Sequence, residues 1–251
     1  MTTVFITGAS SGIGESLARH YASRGAQIGL VARRSELLEK LRAELSPPPA
    51  IYVADVRDAA AIKRAATDFM AKYGIPDIVV ANAGVSRGTL TEIEDDLKAF
   101  QDILDINVMG MVHTFHPFVA PMRGAGKGTL VGIASVAGFR GIPGGGAYSA
   151  SKAAAVKYCE SLRVELRGSG VAVVTICPGY IRTPMTAVNK FKMPFLIDVD
   201  EAVIRFARAI DARTSFTVIP WTMGAASRVL RILPNWLYDR VFTRMPRKPR
   251  H

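Results

Sequence analysis

Thr7-Gly8-Ala9-Ser10-Ser11-Gly12-Ile13-Gly14 is the stretch on which the fold of this chain turns. A β-branched run, Thr3–Thr7, leads into it and an amphipathic segment leaves it, so the octet reads as the turn between a first strand and a first helix. Its glycines permit tight turning and let backbone amides approach a pyrophosphate without Cβ interference. The helix N-terminus that follows adds a favourable dipole for an anion. The spacing is Gly-x-x-x-Gly-x-Gly rather than the commoner Gly-x-Gly-x-x-Gly fingerprint. Taken alone, the string also fits a plain strand-to-helix turn; its position between strand and helix favours nucleotide binding.

Outward from this loop, short β-branched runs alternate with longer helical ones, the pattern of a parallel sheet covered on both faces. The strands are expected at Thr3–Thr7, Ala26–Ala32, Ile51–Ala54, Ile78–Ala81, Leu130–Ala134, Val171–Ile176 and Phe216–Ile219. Between them, Leu37, Leu38, Leu41 and Leu45 form one stripe behind a Ser35 N-cap. Asp198 and Glu201 are spaced for a capping box ahead of Ala202–Ile210. No repeat, low-complexity tract or linker interrupts the chain. The expectation is an α/β fold: one Rossmann-type domain over residues 1–220, doubly wound, with about seven parallel strands and helices on both faces. Residues 221–251 form an extension that is not an independent domain.

The second strand discriminates between cofactors. An acidic residue near its end would bind the ribose hydroxyls of NAD, whereas a basic one accommodates the 2′-phosphate of NADP. Here the run is Leu30-Val31-Ala32-Arg33-Arg34, so NADP(H) is preferred over NAD(H), with a pair of solvated helix-entry charges as the alternative. Asp55, with Val56 beside it, ends the third strand; its carboxylate suits either an adenine amino group or the N-cap of the next helix.

Tyr148-Ser149-Ala150-Ser151-Lys152 carries the chemistry. If 147–167 is helical, positions i and i+4 share a face. A free tyrosine, with a pKa of roughly 10, is a poor base at neutral pH. A nearby ammonium and a cationic nicotinamide both favour the phenolate. Tyr148 is then a candidate to give a proton to a carbonyl oxygen in reduction or to take one in alcohol oxidation. Ser135 ends the strand Leu130–Ala134 at the carboxyl edge, where open α/β sheets place ligands, and its hydroxyl can hold the substrate oxygen. Asn107 falls inside a helical stretch, where Asn is not a preferred residue; it fixes a water or a helix distortion, or is simply exposed.

As a set, Thr7-Gly8-x-x-x-Gly12-x-Gly14, Asp55, Asn82-Ala83-Gly84, Asn107, Ser135, Tyr148-x-x-x-Lys152 and Pro178-Gly179 with Thr183 resemble the short-chain dehydrogenase/reductase family, over essentially residues 2–220. The resemblance implies a seven-stranded Rossmann fold and a catalytic tetrad of Asn107, Ser135, Tyr148 and Lys152. It implies that Gly8, Ser10, Ser11, Gly12, Ile13, Gly14, Arg33, Arg34, Asp55, Val56, Asn82, Ala83, Gly84, Tyr148 and Lys152 face the cofactor. Residues around Pro178, Gly179, Ile181 and Thr183 would meet its nicotinamide end. A homodimer or homotetramer built partly on the Tyr148 helix is implied too. Two regions depart from the family core. Pro184–Ile197 occupies the variable substrate-loop position, where its Met and Phe residues suit an adaptable apolar lid or plain packing. The segment after Trp221 has no fixed family role.

Composition bounds the rest. Of the net charge of +11, residues 221–251 hold +6, with seven Lys/Arg against Asp239 alone. Their Val, Leu, Ile, Trp and Phe residues make this a basic amphipathic end, suited to packing on its own domain or a sister subunit, or to an anionic membrane surface. No recognised motif supports nucleic-acid binding. Cys159 and Cys177 lie in apolar runs without redox-pair or metal spacing, which suits a reducing, cytoplasmic compartment, with peripheral contact at the inner face of a membrane as a further possibility. No secretory leader or membrane-spanning run is expected. His113 and His116 are expected to be structural, and no catalytic metal is expected. Together these features point to an NADPH-dependent carbonyl reductase for a ketone or a 3-oxoacyl, lipid-like and apolar substrate. The alternatives are an NADP-linked alcohol or steroid dehydrogenase running oxidatively, and a non-catalytic NADP-binding interaction protein at a membrane surface.

Overall fold

A computed structural model describes residues 1–189, 191–243 and 248–250. Seven parallel strands form the central sheet: β1 (Thr3–Thr7), β2 (Gln27–Ala32), β3 (Ala50–Val53), β4 (Ile78–Ala81), β5 (Gly128–Ile133), β6 (Val171–Pro178) and, after a small pair described below, β9 (Phe216–Ile219). Their order is β3-β2-β1-β4-β5-β6-β9, so the winding reverses between β1 and β4 and opens a crevice there at the carboxyl ends of the strands. All seven expected strands are present, with boundaries shifted by up to two residues.

The strands carry apolar residues on both faces because helices cover both. In β1, Val4 and Ile6 join one core, while Phe5 between them joins the other. The first core is closed by α1 (Gly12–Ala22), α2 (Ser35–Glu44) and α8 (Val199–Asp211), through residues such as Leu17, Leu38 and Phe206. The second is closed by α3 (Ala59–Tyr73), α5 (Gly110–Ala125) and α6 (Gly146–Glu165), through Phe69, Phe118 and Leu162. Phe5 sits at the centre of the second core, 5.4 Å from the Phe69 ring and 4.9 Å from Phe118. Cys159 on α6 and Cys177 on β6 are free thiols in this same core, and burial pushes each up to about 12.

Two local expectations are corrected. Ser35 is the first residue of α2, and its N-cap is Arg34 with no side-chain cap bond. Asp198 does precede α8, but it makes no side-chain cap bond, and Glu201 pairs with Arg205 one turn on instead of reaching back. A capping box forms elsewhere, between Thr183 and Thr186 at the start of the one-turn α7 (Pro184–Ala187). Around it, β7 (Ile181–Arg182) pairs with β8 (Ile197–Asp198).

After β9, helices α9 (Trp221–Ile232) and α10 (Asn235–Phe242) lie along the domain. Arg140 ties them to the loop after β5. It donates to the carbonyls of Leu230 and Leu233 at 2.8 and 2.6 Å and stacks on the Tyr238 ring at 4.0 Å, while Tyr238 donates to the Gly141 carbonyl at 2.5 Å. Trp221, Ile232 and Trp236 stay exposed on this unit beside exposed Arg228, Arg231 and Arg240. Arg244 and Arg247 lie outside the described residues. Among the described residues, no helix is long and apolar enough to cross a membrane.

Candidate active site

The glycine loop is shaped by β4 as much as by β1. Asn82, just past β4, donates to the carbonyls of Thr7 and Gly8, both at 3.1 Å. Gly8 has a φ of +67°, and a Cβ there would collide with Ala83 Cα and the Asn82 amide. The position therefore demands glycine twice over, by conformation and by space. Beyond the loop lies a cavity of about 340 Å³ at the crevice where the strand order reverses. Its wall includes Gly8, Ser10, Ser11, Gly12 and Ile13 from the loop, and Arg33 and Arg34 after β2. Asp55 and Val56 after β3, Asn82, Ala83 and Gly84 after β4, and Thr183 complete the expected residues there.

At one end of this cavity Arg34 bonds both loop serines: its guanidinium donates to Ser10 Oγ and Ser11 Oγ, each at 2.8 Å from Nη2. A guanidinium and two hydroxyls brought together in this way match the donors a phosphate monoester requires. Arg33, with its side chain 60% exposed, stands 3.7 Å from the Asp55 carboxylate. Asp55 is held mainly by Arg57, at 2.8 Å, and that hydrogen bond is the largest influence keeping the carboxyl below the usual range. The helix after β3 is capped by Asp58, which accepts from Ala61 N, so Asp55 does not serve as its N-cap. Glycine loop and anion-ready helix start together fit the pyrophosphate of a nicotinamide dinucleotide.

The four candidate catalytic residues come from three separate elements. Asn107 occupies a π-helical turn, Asp105–Met109, between α4 (Asp95–Leu104) and α5. The distortion expected of a mid-helix Asn is therefore present, and the residue is only 1% exposed. Its carboxamide accepts from Val85 N at 2.8 Å and donates to Val85 O at 3.0 Å and to Ser151 Oγ at 2.9 Å. Ser151 in turn donates to the Tyr148 carbonyl at 2.8 Å, which links Asn107 to the first turns of α6.

Ser135 caps the turn Val136–Gly138, accepting from Ala137 N at 3.1 Å and facing the Pro178 carbonyl. Burial pushes the Tyr148 phenol above its ordinary value, and a hydrogen bond with the Ser135 side chain acts the other way. Lys152 is buried with its ammonium 2.8 Å from the Ile133 carbonyl, 5.9 Å from the Tyr148 ring centre and against Gly84. Desolvation lowers its pKa to about 8, which leaves it mostly cationic at neutral pH.

Several expected contacts fall outside the cavity wall. Neither Tyr148 nor Lys152 is in the wall itself; Lys152 stands behind Gly84. Gly14 packs on Gly8 and Asn82, where it lets α1 approach the loop. Gly179 packs on Met223 of α9, Pro178 serves Ser135, and the Ile181 side chain is in the core. Sequence reasoning missed Val85, Ser151 and Arg57; Val85 lines the cavity, as do Pro184 and Met185 from the segment expected at the substrate loop. Ser151 sits inside the Tyr-x-x-x-Lys string and Arg57 two residues after Asp55, so adjacency was the only available signal. His113 bonds the Val56 carbonyl at 2.8 Å, and among the described residues no group of three or more His, Cys, Asp or Glu is placed to hold a metal.

A family model described as short chain dehydrogenase matches residues 2–193 of the chain. The chain belongs to this family. A Myxococcus xanthus protein described as an uncharacterized oxidoreductase is 39% identical, with 97% of each chain covered. Among solved structures, a short-chain dehydrogenase from Streptomyces avermitilis superposes with a TM-score of 0.82 at 26% identity, covering 97% of this chain and 99% of that one. An alcohol dehydrogenase from Thermococcus sibiricus, complexed with 5-hydroxy-NADP, gives a TM-score of 0.75 at 27% identity, covering 87% and 96%. As a short-chain dehydrogenase, the protein is an NAD(P)-dependent oxidoreductase.

Proposed function

We propose that the protein reduces a carbonyl group at the expense of NADPH, with a ketone or 3-oxoacyl compound as substrate. The observation that carries this reading is the convergence of Tyr148 and Lys152 on one helix face at the carboxyl ends of β5 and β6, with the Lys152 ammonium 5.9 Å from the Tyr148 ring centre and 2.8 Å from the Ile133 carbonyl, and with burial pushing the phenol above its ordinary value. A protonated phenol donates, as reduction of a carbonyl requires.

The residues take the following parts. Arg34, Ser10 and Ser11 hold a 2′-phosphate with Arg33 nearby, and the loop amides and the start of α1 hold the pyrophosphate. Lys152 and Gly84 border the nicotinamide ribose. A bound nicotinamide supplies the hydride that goes to the carbonyl carbon. Ser135 holds the carbonyl oxygen and Tyr148 gives it a proton, so that the product is the alcohol. Lys152 favours the phenolate left behind through its charge, and Asn107 supports a water path that returns a proton from solvent. Pro184 and Met185, with the apolar residues after them, cover the site against water.

The buried free thiols support a reducing, cytoplasmic setting. Val164 on α6 and Leu97 on the neighbouring α4 are 59% and 58% exposed, apolar surface that a homodimer or homotetramer through these helices would cover. Exposed Trp221, Ile232 and Trp236 among arginines favour a second association, with an anionic membrane surface, which vesicle co-sedimentation of a Trp221→Ser/Trp236→Ser variant tests.

The primary test follows NADPH oxidation with matched ketones and 3-oxoacyl compounds of short and long chain. Tyr148→Phe should cut turnover at least about 10²-fold while NADPH affinity stays within about twofold. Unchanged turnover removes Tyr148 as proton donor, and faster alcohol oxidation with NADP⁺ favours the dehydrogenase direction.

A further inference from the structure

The end of the chain returns to the catalytic tyrosine. Residues 248–250 cross the loop that follows β4 and are held there at three successive points. Lys248 donates to Ser86 Oγ at 2.6 Å, Pro249 accepts from Gly88 N at 2.9 Å, and Arg250 grips both oxygens of Asp96 at 2.9–3.2 Å. Gly88 is closed to any larger residue, since a Cβ there would strike the Lys248 carbonyl. Asp96 also accepts from Leu90 N at 2.8 Å, so the carboxylate that anchors Arg250 organises the same loop.

This anchoring sets the Lys248 ammonium 5.6 Å from the centre of the Tyr148 ring, while Lys152 approaches that ring at 5.9 Å. The two cations differ in their surroundings. Lys152 is spent on a backbone carbonyl against Gly84, whereas Lys248 arrives from a distant part of the sequence and rests on a neutral hydroxyl. Its neighbour Arg250 takes the carboxylate. A cation withdrawn from water beside a hydroxyl gains most from an arriving anion. Burial accordingly moves the Lys248 pKa down to about 8, which leaves it charged at neutral pH.

We propose that Lys248 is a specificity-determining residue that binds the carboxylate of an oxoacid whose carbonyl is reduced beside Tyr148. The short distance between ammonium and ring places the acid group a few bonds from the carbonyl, as in a 2-oxo or 3-oxo acid. The Met and Phe residues in the segment after Thr183 suit the hydrocarbon body of such a substrate. The inference rests on Tyr148 being the proton donor, and it narrows the substrate class by adding an anion to it. Discrimination of this type is strong, because a site built for a charged partner leaves its own cation unpaired when a neutral analogue binds.

The test compares 4-phenyl-2-oxobutanoate and 3-oxo-octanoate with their ethyl esters, using NADPH and the full chain. Wild type should favour each acid over its ester in kcat/KM. Lys248→Met should collapse that preference about tenfold or more, through KM of the acids, and Lys248→Arg should restore most of it. Ser86→Ala, which removes the hydroxyl and keeps the cation, should retain the preference. An acid-to-ester ratio unchanged in Lys248→Met overturns the proposal and leaves Lys248 as a pin for the tail. Equal gains for acid and ester in that variant also overturn it, because they mark a plug. So does a wild type that prefers esters. If none of the four compounds is reduced, the carbonyl-reductase reading is what fails, and calorimetric titration of the NADPH-loaded protein with the two acids decides the subsite. Binding that Lys248→Met abolishes supports it; absence of binding to wild type overturns it.

Discussion

Asn107 meets Val85 at both of its main-chain groups, accepting from the amide at 2.8 Å and donating to the carbonyl at 3.0 Å, as a strand partner would. The side chain thus gives a strand-like partner to backbone four residues past the end of β4. It fixes the backbone that carries Gly84 into the cavity wall and Ser86 to Lys248. Asn107→Leu keeps the volume and removes three hydrogen bonds, leaving part-buried main-chain groups of Val85 without this partner. The expected loss is about 2–4 kcal/mol in urea unfolding, with turnover reduced alongside. A loss below about 1 kcal/mol would mean that the Val85 groups find other partners.

Arg34 reaches Ser10 and Ser11, whereas Arg33 inclines towards Asp55. Arg34→Ala should therefore raise the NADPH dissociation constant about 10–100-fold and alter NADH binding only slightly. Arg33→Ala should show the smaller effect on NADPH. Equal losses for the two cofactors in the Arg34 variant would exclude 2′-phosphate recognition at this position.

Ser135→Ala should lower kcat by about 10²-fold, the cost of losing one donor to a developing oxyanion. It has a second signature. The Ser135 hydrogen bond lowers the Tyr148 pKa, so its removal raises that pKa. Reduction needs the protonated phenol, and the alkaline fall in rate should move to higher pH in the variant. A limb that stays in place or moves down would show that Ser135 does not act on Tyr148.

Lys152 makes stability depend on pH in a defined window. Its folded pKa of about 8 lies below the model-peptide value of 10.5, so between these values the unfolded chain binds more protons and stability rises with pH. The desolvation cost is fully present below pH 8 and is relieved as the group deprotonates. Between pH 7.5 and 9.5 wild type should gain about 2 kcal/mol relative to Lys152→Met in parallel urea titrations. Parallel curves for the two proteins would show that Lys152 is well solvated.

The strands and the glycine loop were legible because their signals are local. A short β-branched run buried on both faces reads the same in sequence and in space, and Thr7–Gly14 lies where the chain must turn. Helix starts were less legible. Ser35 and Glu201 are residues of the right type at the right spacing, but Arg34 takes the boundary at one and Arg205 competes for the carboxylate at the other. Asn107, Ser135, Tyr148 and Lys152 could be picked out by type, while the link through Ser151 depends on the π-turn and could not. Lys248 was counted only as one charge in a basic tail. Its approach to Ser86 spans 162 positions, and no periodicity encodes a contact at that range.

Cys159 and Cys177 are sealed into the sheet-helix seam with thiols of pKa about 12, so the folded molecule presents almost no thiolate to an alkylating reagent. Modification must wait for the seam to open. The two sulfurs therefore keep time on breathing of the native state: their labelling rate, slowed by whatever binds and stiffens the crevice, ranks candidate cofactors and substrates without any turnover being observed.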